Sequence, residues 1–271
     1  MNAILSLTKL LAERAELDKT LATKLQKSIL QEAIQGKLVP QDSNDEPATV
    51  LLERIREEKK KLVASGKLKK KDLTDSTIFK GDDNKYYEQI GGKCLDITQE
   101  IPFDIPNSWV WTRIKCIYQT SSGGTPEKGH PEYYGGTIPW VKVGDLSNIY
   151  ISQTEDSISD LGLVNSSAKL FPKDTILIAM YCNDAIGKSS ILLFSMTTNQ
   201  AICGLYPNPF LNTEYIYYAI QNNRKNLQEQ SAGGAQKNIN QKIVNNMLIP
   251  IPPIEEQMRI VEKIQRLYKK L

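Results

Sequence analysis

From Met1 to Gln35 the chain has neither glycine nor proline, and Ile4, Leu7, Leu11, Leu21, Leu25 and Ile29 recur mostly at three- and four-residue steps. That spacing places the apolar side chains on one stripe of a single long helix, which Gly36 and Pro40 stop. At its ordinary rise per residue the helix is about 50 Å long, far beyond an average one, and so long a stripe needs a partner helix. Turn formers fill Asp42 to Pro47. Ala48 to Ser65 is helical again, with Leu51, Leu52, Ile55 and Leu62 on one side and Gly66 as its stop, so the two segments suggest a helical hairpin. From Asp72 to Pro106 turn formers and polar residues dominate, and that stretch is expected to be a connector.

Past Trp109 the texture changes. Short β-rich runs at 109–111, 138–141, 175–179 and 190–194 are separated by Gly, Pro, Asn and Asp, the pattern of a globular α+β domain. Glu214 to Asn226 is a helix candidate within it. Pro252 and Pro253 then initiate a helix from Glu255 to Leu271, with Ile260, Val261, Ile264, Leu267 and Leu271 as its stripe. The long N-terminal helix and this C-terminal one can pair with each other or with copies in another chain.

Composition narrows the class. With 271 residues, 40% hydrophobic and 24% charged, the chain can bury a large core and is not a disordered tail. No apolar run approaches the roughly 20 residues that span a bilayer. Glu13, Glu16 and Asp18 stand where a signal peptide needs an apolar block, so a soluble, cytoplasmic chain without membrane partners is expected. The four cysteines form no C-x-x-C pair and His130 is the single histidine, which predicts reduced thiols and no structural metal. A net charge of +3, from 34 Lys and Arg against 31 Asp and Glu, permits nucleic-acid binding without requiring it. The charge runs 57–61 and 67–71 are read as a solvated helix face and its exit loop.

Enzyme motifs fail one by one. Ala185 to Ser189 resembles the end of a phosphate-binding P-loop, but Cys182 stands where the first glycine belongs. Asn208-Pro209-Phe210 lacks the second proline of an amino-methyltransferase signature, and no Pro-Asp dipeptide starts a metal-dependent nuclease pattern. His130 lies in a Gly-His-Pro turn with no Ser or Cys elbow, which suits a surface or binding loop better than catalysis. Two loops of small polar residues remain. In Ser121-Ser122-Gly123-Gly124-Thr125-Pro126 two glycines let backbone approach a ligand between hydroxyl donors, with Lys128 and His130 following, which suits a phosphate backbone. Gly233 to Gln241 adds Gln236 and Asn238, whose amides can read adenine, with cations at Lys237 and Lys242. Loops of this composition are also ordinary connections.

The ordered segments resemble one family, the specificity (S) subunit of type I restriction-modification systems. The resemblance rests on residues 28–41, Asn44-Asp45-Glu46-Pro47-Ala48 with Leu51-Leu52, Pro106 with Trp109, and Ser122-Gly123-Gly124-Thr125-Pro126. It continues through Ile138-Pro139-Trp140-Val141, Thr198-Asn199-Gln200, Gln236 with Asn238-Ile239, and Pro252-Pro253-Ile254-Glu255-Glu256-Gln257 with Ile260-Val261. The family implies a non-catalytic reader of double-stranded DNA with two target-recognition domains separated by two antiparallel helices, around which methyltransferase (M) and restriction (R) subunits assemble. S-adenosylmethionine and ATP are then expected only on those partners, and no cofactor on this chain. This sequence has one helical spacer, one recognition domain and the start of a second spacer: residues 1–71, a connector at 72–105, the target-recognition domain at 106–249, and 250–271. It resembles half a subunit, either a natural half that pairs as a homodimer or a portion of a longer chain.

On that reading the fold is α+β, a mixed sheet in the recognition domain plus a long antiparallel or coiled-coil helical spacer. Ser122, Gly123, Gly124 and Thr125 are expected against phosphates, Lys128, Lys142, Lys188 and Lys237 as cations, and Gln236 and Asn238 near base edges. Ile4, Leu7, Leu11, Leu21, Leu25, Ile29, Ile260, Ile264 and Leu267 are expected in a dimer interface. Tyr133, Tyr134 and Trp140 are read as packing aromatics, and Thr198 to Gln200 equally as a turn or a contact. The rival reading is a coiled-coil interaction module whose globular domain binds protein rather than DNA.

Overall fold

The computed structural model describes residues 2–74, 76–232 and 238–271, and the side chains of residues 2–12, Lys71, Asn183 and Ala232 lie outside that description. Helix α1 spans Asn2–Ile34. It closes as the sequence predicts: the Lys37 amide donates to the Glu32 carbonyl (2.9 Å), the Gly36 amide to Ala33 (3.2 Å), and Gly36 has a φ of 72°, the left-handed closure that favours glycine. A side chain at Gly36 would also overlap the Pro106 ring. Helix α2, Ala48–Ala64, ends the same way at Gly66, with Lys67 donating to Leu62 (2.9 Å).

The expected connector is structured. Strands β1 (Ser76–Lys80), β2 (Tyr86–Ile90) and β3 (Lys93–Asp96) form an antiparallel meander. Its buried face carries Ile78, Tyr86 and Glu88, and the charge there hides the strand alternation from a hydrophobic pattern. Glu88 is tolerated because Arg113 grips it through Nε and Nη2 at 2.8 and 2.6 Å and Ser76 also donates to it. Within the 57–61 run, Lys59 is likewise buried, its ammonium donating to the Lys115 carbonyl (2.7 Å), so the run is not wholly a solvated face.

The remaining chain runs through β4 (Val110–Arg113), α3 (Ile114–Ile117), β5 (Thr120–Ser122), β6 (Tyr134–Val141), β7 (Tyr150–Ile151), β8 (Asp156–Ile158), α4 (Asp160–Val164) and β9 (Leu170–Phe171). It continues with β10 (Ile176–Ala179), β11 (Ser189–Leu192), β12 (Met196–Thr198), β13 (Ile202–Leu205), α5 (Thr213–Asn222), α6 (Arg224–Ala232), α7 (Gln241–Asn246), β14 (Leu248–Ile251) and α8 (Ile254–Tyr268). The sheets are mixed, in the orders β5-β13-β10-β11-β7 and β8-β6-β12-β9, with β14 paired to β4. The β7–β11 and β6–β12 pairs are parallel. Val141, Phe171, Leu177, Leu192, Met196 and Ile202 form the core shared by the two larger sheets. The expected 214–226 helix is two helices, broken at Asn223.

A second core holds the helices. Ala33 and Ile34 at the end of α1 join Leu51 and Ile55 of α2 and Ile260, Val261 and Ile264 of α8 in it. Helix α1 packs on α5 and α8 rather than on α2: Tyr268 in the last turn of α8 donates to the Gln26 carbonyl (3.1 Å), while Glu256 in the first turn of α8 meets Gln41 beyond the end of α1 (2.6 Å). Helices α1 and α8 therefore run in opposite directions, and the helical hairpin expected of α1 and α2 is replaced by α2 packing on α3. This removes Ile260 and Ile264 from the expected dimer interface, since both are fully buried in their own chain. Leu267 is half-buried, and Ile29 packs from the rim of the same core. Leu21 and Leu25 stay exposed at 56% and 41%, and the side chains of Ile4, Leu7 and Leu11 lie outside the described residues.

Residues that carry the family resemblance meet at this root. The Glu256 carboxylate, fully buried, accepts from Trp109 Nε1 (2.9 Å) as well as from Gln41. Burial pushes its carboxyl above the usual range. Gln257 accepts from the Asn212 amide (3.0 Å) at the start of α5 and donates to Pro252 (2.9 Å), and Arg259 pairs with Asp45. The Ala48 amide donates to the Ser108 carbonyl (3.0 Å).

Candidate functional site

The 121–126 loop, the Thr198–Ala201 turn and the chain from Asn238 to Gln241 meet at one end of the five-stranded sheet. Gly123 donates its amide to the Ile202 carbonyl (3.1 Å) and Gly124 to Thr198 (2.9 Å). A Cβ on Gly123 would overlap Thr198 and the Asn199 carbonyl, and one on Gly124 the peptide joining Ser167 and Ala168. These glycines admit a crossing of protein backbones, so neither amide is left to grip a phosphate. Thr125 donates to Gln200, Trp140 Nε1 donates to the Gly124 carbonyl (3.1 Å), and the Ser122 hydroxyl is 3.4 Å from Gln241 Oε1. The four residues expected against phosphates are thus a structural brace with a partly open edge at Ser122 and Thr125. Thr198 to Gln200 is the turn that receives them, and the Asn199 carboxamide holds its own backbone at Ala201 (3.1 Å).

What surrounds the brace is more available. The Asn199 amide donates to Val141 (3.1 Å), which puts Lys142 beside the turn, and Lys142 pairs with Asp156. The carboxylate holds the lysine pKa above its ordinary value, so much of this cation is already neutralised. Lys128 is exposed on the loop beyond Pro126, and Lys188 is half-buried in the turn entering β11. Lys169 reaches the Ser121 hydroxyl. His130 bonds Glu132 (2.8 Å) and stacks on Tyr133 at 4.7 Å between centroids, a surface cluster. Asn238 is exposed at the entry to α7, and Gln236 and Lys237 lie outside the described residues.

Sequence reasoning missed the segment between β10 and β11. The Met180 amide donates to Ala201 and its carbonyl accepts from Ile239, at 2.8 and 2.9 Å, so Tyr181 and Cys182 leave the sheet between the Thr198–Ala201 turn and the chain at Asn238. Two apolar runs flanking Cys182-Asn183-Asp184 were a legible hairpin signal. A strand rather than a helix follows Lys188, which removes P-loop geometry as well. A separate cleft of about 830 Å³ is lined by Asn222, Asn223, Asn226, Gln230 and Asn246, with Asn226 donating to Asn223 (3.0 Å) and accepting from Gln230 (3.3 Å).

Among the described residues no helix is long and apolar enough to cross a membrane, and no group of three metal-ligating side chains gathers.

Comparison with known proteins agrees with this architecture. Residues 106–271 match the family described as type I restriction modification DNA specificity domain. The chain is 34% identical over 161 residues to the specificity subunit of the type I restriction enzyme MjaIX of Methanocaldococcus jannaschii, covering 58% of this chain and 37% of that one. It is 30% identical over 254 residues to the EcoAI specificity subunit of Escherichia coli, covering 90% and 39%. The chain therefore spans about two fifths of the length of the curated relatives it matches. Its backbone resembles the crystal structure of an HsdS subunit from Thermoanaerobacter tengcongensis with a TM-score of 0.50 at 16% identity, over 97% of this chain and 49% of that one. A chain from a study of the assembly and conformational transition of a type I R-M system gives 0.53 at 17%, over 82% and 50%. At such identities the likeness is one of fold.

Proposed function

The chain belongs to the type I restriction modification DNA specificity family, and from that membership we propose that it is a non-catalytic reader of double-stranded DNA that directs separate methyltransferase and restriction subunits. The observation that carries the reading is that the matched stretch coincides with the domain whose loops gather at one sheet end. There Lys128 and Lys188 supply cations with no acidic partner among the described residues, and Asn238 supplies an exposed amide. Phosphate contacts from the lysines position the duplex, and amide or aromatic contacts in a groove specify it.

One such domain reads one half of a bipartite site. Two copies associated along the exposed Leu21 and Leu25 stripe of α1 present two domains, with S-adenosylmethionine and ATP on the partner subunits. The exposed stripe also favours the rival reading of a protein-interaction module, and salt dependence of DNA affinity separates the two. The deciding experiment supplies the chain to a methyltransferase subunit of the same system. Methylation at one duplex sequence appears with both subunits and with neither alone. Methyl transfer by the chain alone, or methylation by the pair without sequence preference, refutes the proposal.

A further inference from the structure

Three non-glycine residues among those described take a left-handed backbone: Asn84, Asp174 and Cys182, with φ of 62°, 65° and 67°. Asn and Asp adopt that conformation with little penalty, whereas a cysteine does not. Cys182 is exposed and carries no side-chain contact that rewards the strain among the described residues. The turn is nevertheless clamped. Arg224, the first residue of α6, donates through Nε to the Ile186 carbonyl (3.2 Å) and through Nη2 to the Asp184 carbonyl. The Ala185 amide closes back on Cys182 (2.5 Å), and Gly187, with φ of 75°, has no room for a side chain against Arg224.

The clamp presents Tyr181. The residue is 36% exposed, and its hydroxyl has no hydrogen-bond partner among the described residues, unlike those of Tyr86, Tyr134, Tyr150 and Tyr215. Through Met180 it stands between the turn that braces Thr125 and the chain at Ile239. Met180 and Ile186 anchor the two ends of this turn in the core, whereas Tyr181 and Cys182 between them are exposed, and strain held at an exposed position points to a functional element. An aromatic ring with a free hydroxyl offers an apolar edge for a thymine methyl and a donor and acceptor for a base edge.

We infer that Tyr181 is a specificity-determining residue that contacts base edges of the bound duplex, and that Cys182 and Arg224 are positioning residues that set its ring. This rests on the DNA-reading function proposed above and adds the residue that discriminates.

The test selects binders from a random-sequence duplex pool with the full chain, and compares the enriched sequence for the native protein with that for Tyr181→Ala, Cys182→Gly and Lys128→Ala. Tyr181→Ala is expected to lose preference at one or two adjacent positions, lowering the cognate-to-scrambled affinity ratio by roughly tenfold, the usual scale for one base pair. Lys128→Ala lowers both affinities and keeps the ratio. Cys182→Gly raises the melting temperature, because the backbone strain is relieved, and still erodes the ratio as the ring loses its fixed position. A ratio unchanged in Tyr181→Ala while the native protein enriches a sequence overturns the inference alone. A native protein that enriches no sequence overturns the DNA-reading function and the inference with it.

Discussion

The Glu88 carboxylate shows how one side chain joins the meander to the sheet domain. Burial pulls its pKa up, but the bonds from Arg113 and Ser76 outweigh burial and hold it below the usual carboxylate range. A depressed native pKa contributes stability that is present above the unfolded value and is lost as pH falls through the native one. Glu88→Gln should therefore destabilise the protein by about 3 kcal/mol at neutral pH, the cost of breaking a buried pair. The gap to the native protein should close in acid, as denaturant titrations across pH will register. Gly124→Ala is expected to cost on the order of 3 kcal/mol of stability by forcing apart the Ser167 backbone. Lys128→Ala should leave melting unchanged and weaken DNA binding. The contrast separates bracing from contact. It also shows what is legible: two adjacent glycines mark a close approach, and in the structure the approaching backbone comes from Thr198 and Ser167, distant in sequence, where the sequence alone offers a phosphate.

Helix α1 divides along its length, and the division decides its mutants. Its last turns are covered by α5 and α8, whereas Leu17, Leu21 and Leu25 face solvent. Leu21→Lys with Leu25→Lys should leave the monomer folded and shift light scattering from dimer to monomer if self-association runs along this stripe. An unchanged dimer would place the interface elsewhere. Ile260→Lys should instead unfold the protein, losing its cooperative thermal transition, because the charge enters the chain's own core. The apolar spacing made both helices legible, and the glycine stops at Gly36 and Gly66 were right to the residue. Periodicity marks a face as buried without naming its partner, which is why the sequence sets α2 beside α1 and leaves the α8 stripe to pair either with α1 or with another copy, and the structure pairs it with α1. The meander stayed hidden because Glu88 breaks its alternation and strand β3 is exposed throughout.

At the scale of the whole molecule, the mild positive charge becomes a measurable slope. DNA affinity should fall as salt rises, and Lys128→Ala should flatten a plot of log affinity against log salt by about one unit for a lost phosphate contact. Asp156→Asn should steepen it, since Lys142 is freed from its ion pair. A salt-independent affinity would favour the protein-binding alternative. The fold class was legible from the change of period after Trp109. The reading surface was only partly so, because it is assembled from loops that hydrogen bonds between distant strands bring together.

The root where Gln41, Asp45 and Trp109 meet Glu256 and Arg259 also has a mechanical meaning. Helix α1 is held from Gln26 to its end, which leaves a free rod about 36 Å long whose far end amplifies any rotation at the root. A tilt of one degree carries that end about 0.6 Å, and about five degrees moves it through the roughly 3.4 Å rise of a base pair. On the proposed DNA-reading function, whatever sits at the far end of the rod is registered along the duplex to the tolerance of the contacts that hold α1, a few hydrogen bonds around one buried carboxylate among them. Loosening them, as in Gln41→Ala, would blur a distance about 36 Å away while leaving the rod itself intact.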